Sequence, residues 1–162
     1  MTRKERLNSI ILLSILLLLL VLTCGCAGTS VANSGIGDSR VSKDHPMLQY
    51  FIAAHPDNKV VKWVLGDVNS DGQEDLVVIY NISKATNRML VVLNMNGEYQ
   101  CTNEVPAPVE HQQIQFKDID NKPPTELIVQ GMKGTRAGLA IYRVEGKSLV
   151  NLFGEGMVDC CN

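Results

Sequence analysis

The chain has 162 residues, of which 45% are hydrophobic and 20% charged, with a formal net charge of −2 and no basic run. That balance excludes nucleic acid as a natural partner, because phosphate backbones are met by clustered Lys and Arg. The length allows one small domain besides a leader.

The first element is the leader itself. Arg3, Lys4 and Arg6 precede a 13-residue apolar run, Ile10 to Leu22, which is followed by Thr23-Cys24-Gly25-Cys26-Ala27-Gly28. The run is too short for a comfortable membrane span and has the proportions of a secretory signal. A cysteine directly after a small residue at this point resembles the bacterial lipoprotein box. Cys26, preceded by Gly25, is the expected lipidation site and Cys24, preceded by Thr23, the alternative. An uncleaved signal anchor is a further reading. The position three before Cys26 is Thr23, where the box carries Leu. All these readings place the remainder outside the cytoplasm, with the membrane as a partner through the lipid. Removing residues 1–25 takes away three cations and one anion, leaving 12 against 16, so the mature charge is near −4. Residues 26–43 are small, polar and aperiodic, and are expected to form a flexible tether.

Residues 44–58 predict one helix. Pro46 suits a first turn, Met47, Leu48, Phe51, Ile52 and Ala54 form an apolar face, and Pro56-Asp57-Asn58 ends it. His45 and His55 bracket it as caps or surface residues.

Strands follow. Val60 to Leu65 leads into Asp67-Val-Asn69-Ser-Asp71-Gly72-Gln73-Glu-Asp75, and Leu76 to Tyr80 leaves it. Oxygen donors at positions 1, 3 and 5 of a tight loop converge, a glycine at 6 permits the bend, position 7 offers a carbonyl and position 9 a further side chain. Asp67, Asn69, Asp71, Gln73 and Asp75 therefore form a candidate site for structural Ca²⁺, since hard oxygen ligands suit a hard cation. Position 12 is Val78, not the Glu of an EF-hand. An acidic turn between two strands is the plain alternative. Met89 to Leu93, an Asn96-Gly97 turn and Tyr99-Gln100-Cys101 complete a four-stranded meander over 59–105.

The pattern recurs at an offset of 51 as Asp118-Ile-Asp120-Asn-Lys122-Pro123-Pro124-Thr-Glu126. Lys122 stands for Asp71 and Pro123 for Gly72, so this copy is expected to be metal-free, with the Lys122 ammonium replacing the cation. Gln113 to Lys117, Leu127 to Val129, Leu139 to Val144, a Glu145-Gly146 turn and Leu149 to Phe153 give a second meander over 106–154. The apolar runs Leu76–Ile79 and Leu90–Leu93 predict central strands buried on both faces. Trp63, Tyr80, Phe116 and Tyr142 read as core fillers. Gly131 to Gly138 reads as a turn.

The stretch GDVNSDGQEDLVV resembles the FG-GAP and VCBS repeats of integrin α-chain propellers and bacterial surface proteins, in which the Asp-rich loop binds Ca²⁺. The resemblance covers roughly residues 59–154. A closed propeller needs at least four blades. Two blade-like repeats imply either two sheets packed face to face as a small mainly β sandwich with one short N-terminal helix, which is the favoured reading, or a combination of subunits.

Residues 155–162 end in Asp159-Cys160-Cys161-Asn162. Besides the leader cysteines the chain holds Cys101, Cys160 and Cys161, an odd number, so one is left over from pairing or forms a link to another molecule. One reading bridges a tail cysteine to Cys101 as a staple. The other makes the adjacent pair a redox or soft-metal site, because thiolates select thiophilic ions. The ending also resembles the Cys-Cys-COOH (seleno)protein SaoC family. That resemblance implies an envelope role beside a transport or thiol-redox partner handling organometallic compounds, with Cys160 and Cys161 as the residues concerned. Asn162 departs from it, since the family's pair carries the terminal carboxylate.

No nucleophile elbow, HExxH, phosphate loop or Cys-x-x-Cys occurs, and Glu110-His111 lies at the repeat boundary, so no catalytic set stands out. The expected function is that of a cell-envelope lipoprotein on the extracytoplasmic face. It would be a binding module whose vicinal thiols capture a soft metal or organometal or exchange disulfides. The alternative is a calcium-stabilised adhesin-like or scaffolding module with purely structural cysteines.

Overall fold

Pro46 opens the helix α1 (Pro46–Ala54), where its missing N–H is not needed. Met47, Leu48 and Phe51 form its buried face, and the His55 N–H closes it by donating to the Phe51 carbonyl at 2.9 Å. The His55 ring stacks on Phe51 at 4.7 Å, whereas His45 occupies the N-cap without a side-chain bond. The computed structural model describes residues 42–155. The leader, all but the last two tether residues, and Cys24, Cys26, Cys160 and Cys161 lie outside them.

Among the described residues nine strands come after the helix: β1 (Lys59–Gly66), β2 (Asp75–Ser83), β3 (Thr86–Met95), β4 (Glu98–Cys101), β5 (Val105–Ala107), β6 (Glu110–Lys117), β7 (Glu126–Lys133), β8 (Arg136–Glu145) and β9 (Ser148–Glu155). They form two antiparallel sheets, the first in the order β1-β2-β3-β4 with β5 also on β3, the second β6-β7-β8-β9. The described residues are thus mainly β with one short helix, as the alternating runs and turn residues predict.

Two details differ from expectation. β5 is a three-residue strand that continues the edge begun by β4 along β3. Between them the Thr102 N–H donates to Val91 O at 2.9 Å, and Thr102 Oγ1 accepts the Val91 N–H at 3.0 Å, so the ladder stays satisfied across the kink. In the second sheet the turn is Gly134-Thr135 alone, while Gly131 and Gly138 face each other as a strand pair. The Asn96-Gly97 hairpin has positive φ at both residues, as its tight turn requires, and the later hairpin falls on Gly146-Lys147.

The apolar runs of β2 and β3 are buried on both faces because two cores flank the first sheet. On one side, Leu76, Val78, Tyr80, Leu90 and Val92 meet Met47, Leu48 and Phe51 of α1. On the other, Val77, Ile79, Met89 and Val91 meet Leu127, Val129, Ala140 and Tyr142 of the second sheet. Tyr80 and Tyr142 are buried, whereas Trp63 and Phe116 are only partly so and pack at the rims of the two cores.

The two repeats do not meet face to like face. Leu127 and Val129 correspond, at the repeat offset, to Leu76 and Val78, which point away from the second sheet towards α1. The face that the second sheet turns inward is therefore the counterpart of the face that the first turns outward. Phe116, the counterpart of Leu65, obeys the same rule. Its ring fills the space where a Cβ on Gly66 would stand, 2.7 Å away, so only glycine admits this approach. The repeats stack front to back, as blades do, and α1 covers the exposed back of the first. Among the described residues no helix is long and apolar enough to cross a membrane.

Candidate metal centre

Both acidic loops leave the first strand of a repeat and return as its second. In the loop between β1 and β2, Ser70 and Gly72 adopt positive φ, which turns the chain sharply enough for Asp67, Asn69 and Asp71 to face one another. The Asp71 N–H donates to Asp67 Oδ1 at 3.1 Å and to Asn69 Oδ1 at 3.0 Å, so these two oxygens converge on one point. Asp67 Oδ2 accepts the Gly72 N–H, Asp71 Oδ1 accepts the Gln73 N–H, and Asp71 Oδ2 accepts from the Asn69 amide at 2.9 Å. Gln73 itself reaches Asn96 of the neighbouring hairpin.

Asp75 has a different position. It is fully buried, and its two oxygens accept the Val68 N–H at 3.2 Å and the Asn94 N–H at 2.9 Å, tying the loop to β3. Burial pushes its carboxyl up to about 6, against the pull of the Asn94 and Val68 donors and helped by the nearby Asp71 and Asp67 charges. The residues that could hold a cation are thus Asp67, Asn69 and Asp71 with the Gln73 carbonyl. Asp75 could join only through oxygens that already accept an N–H, which a carboxylate's spare lone pairs permit. This donor set fits a hard cation.

The second loop shows how the same frame is closed with a side-chain cation. Glu126, the counterpart of Asp75, is likewise buried, and its Oε2 accepts the Ile119 N–H at 2.8 Å, as Asp75 does from Val68. Its other oxygen pairs with Arg143 of β8, which also bonds Asp120 Oδ2 at 2.8 Å. The Arg143 guanidinium beside Asp120 holds that carboxyl below its ordinary range. The cation expected from Lys122 is therefore supplied to Asp120 and Glu126 by Arg143, and the Lys122 backbone N–H caps Asp120 at 3.0 Å. The one carboxylate trio gathered within 4.8 Å among the described residues is Asp118, Asp120 and Glu126, the trio that Arg143 enters. Sequence reading missed Arg143 because it lies in another strand and carries no motif of its own.

Cys101 sits half-buried on β4 against the core beneath α1. Burial, and then the Glu104 carboxylate, push its thiol up, so it behaves as a packing residue at neutral pH. His111 and Glu110 are exposed on β6, where Glu110 accepts the Gly134 N–H at 3.3 Å. A shallow cavity of about 500 Å³ opens beside His111, Gln130, Met132 and Leu139. None of these carries a nucleophile and base in register.

Comparison with protein-family models, with curated proteins and with solved structures finds no match. The likeness to calcium-loop repeats accordingly rests on the residues of the two loops.

Proposed function

We propose that this protein is an envelope lipoprotein whose calcium-stabilised β module carries a vicinal thiol pair, Cys160-Cys161, for thiophilic metal or organometal capture or thiol exchange. The observation that carries this reading is the adjacency of Cys160 and Cys161 in the sequence, with Cys101 set apart, half-buried against the core beneath α1. A half-buried thiol held in its protonated form is a poor ligand and a poor nucleophile, so soft chemistry falls to the two adjacent cysteines. Adjacent Cα atoms are about 3.8 Å apart, which lets two sulfurs reach one soft centre. In this reading the Asp67–Asp75 loop holds a hard cation for stability, and the two metal chemistries do not compete. Lipid on Cys26 would hold the module at the membrane.

The test is titration of the reduced full chain with a mercurial and a trivalent arsenical. Parent and Cys101→Ser are expected to bind alike, while Cys160→Ser and Cys161→Ser each weaken binding about tenfold or more. Equal binding by all four, or loss confined to Cys101→Ser, sinks the proposal.

A further inference from the structure

Among the described residues, the front-to-back stack leaves one sheet face without a cover. The outer face of the second sheet carries two middle rows, Gln115–Ile128–Ile141–Phe153 and Gln113–Gln130–Leu139–Glu155. By the repeat, Ile128, Leu139 and Ile141 are the counterparts of Val77, Met89 and Val91, which the first sheet buries against its neighbour. Gln115 and Gln130 stand where the first sheet has Val64 and Ile79. Phe153 is 44% exposed at the edge. In a chain that is 20% charged, these two rows hold no charge on β6, β7 or β8. Depletion of charge around exposed aliphatic and aromatic side chains marks an interface centre.

We infer that this face pairs with the same face of a second copy of the chain, across a two-fold axis. Continuing the stack front to back is blocked, because the complementary back face is filled by Met47, Leu48 and Phe51 of the chain's own helix, all 3% exposed or less. Among the described residues each molecule therefore has one open end, and two such ends can close on each other across a two-fold axis. Charge allows it. On β6, β7 and β8 the middle rows are neutral, their one acid, Glu155, stands on the edge strand β9, and the adjacent Arg143 is already matched by Asp120 and Glu126. Glutamine amides both donate and accept, which makes a glutamine row complementary to itself. Four strands about 4.8 Å apart offer roughly 500 Å² per partner, short of the ~800 Å² of a stable complex. The dimer is a weak, reversible one.

The test is sedimentation velocity of the full chain, with reductant and in one mild detergent, over rising concentration. The parent is expected to shift from monomer to dimer, and Ile141→Arg to weaken dimerisation about tenfold or more. Ile141 is only partly buried, so the variant's melting temperature serves as the check on folding. A photo-crosslinking residue at Gln115 should join two copies in the parent background and fail to do so with Ile141→Arg. A parent that stays monomeric throughout, or an Ile141→Arg variant that associates like the parent, overturns the inference.

Discussion

Arg143 shows how one side chain can settle the fate of a loop. The two loops share a buried carboxylate that accepts the N–H of their second residue, Asp75 with Val68 and Glu126 with Ile119. What differs is the positive charge that balances the acids. In the second loop it is covalently present, so Arg143→Met leaves Glu126 buried without its partner and should cost about 3–5 kcal/mol in urea denaturation. Adding Glu126→Gln should recover much of that loss. Asp120 gives the pH signature. Its carboxyl is depressed by Arg143, so its share of stability is present above the ordinary value near pH 4 and is lost as pH falls through the lower folded value. Asp120 is exposed, so this increment is small, and it should vanish in Arg143→Met. On the proposed reading the first loop imports its charge as a hard cation. Calcium should raise the melting temperature of the parent, Asp71→Ala should abolish that rise, and Lys122→Ala should keep it, because ligands that bind the folded state stabilise it. A parent indifferent to calcium and chelator would remove the metal from the account. The first loop was legible in the sequence because its donors are contiguous. Arg143 was not, because it reaches its partners across a strand.

At the scale of elements, the face by which the helix docks is apolar. Met47, Leu48 and Phe51 form its buried face, and Phe51 packs on Tyr80 with ring centroids 5.0 Å apart. Phe51→Ala should cost about 3–5 kcal/mol if α1 stays docked. Since undocking a terminal element is a local event, the loss is capped by the docking energy. Limited proteolysis is expected to cut around residues 46–58 while the β-sheets stay resistant; uniform digestion would show that the helix unfolds only with the rest. The strands were readable because β-branched and leucine runs are bounded by Asn-Gly and acidic turns. β5 was not, since three residues with a central proline, Val105-Pro106-Ala107, carry no periodicity, and proline is tolerated there only because the strand lies at an edge. Gly131 and Gly138 misled for the opposite reason. Glycine commonly marks turns, yet here the two pair across neighbouring strands.

For the whole molecule, the repeat offset fixed the number of sheets but left open which faces meet. A period of two says that a strand has two sides; it does not say which side a neighbour will take. Burial on both sides of β2 and β3 hinted that the first sheet lies inside the stack, and the three layers of helix, first sheet and second sheet bear this out.

Front-to-back stacking also has a consequence for how such a chain can change length. Every sheet offers its neighbour one face and receives the other, so the joint between the first sheet and the second is directional and reusable. A tandem duplication of residues 59–109 inserts a sheet that keeps the joint with the last sheet and meets the first sheet through Leu76 and Val78, the repeat counterparts of Leu127 and Val129, so neither the helix nor the last sheet has to alter a contact. Loss of α1, by contrast, uncovers Leu76, Val78, Tyr80, Leu90 and Val92 at once. The architecture tolerates growth in its middle and is intolerant of trimming at its helical end.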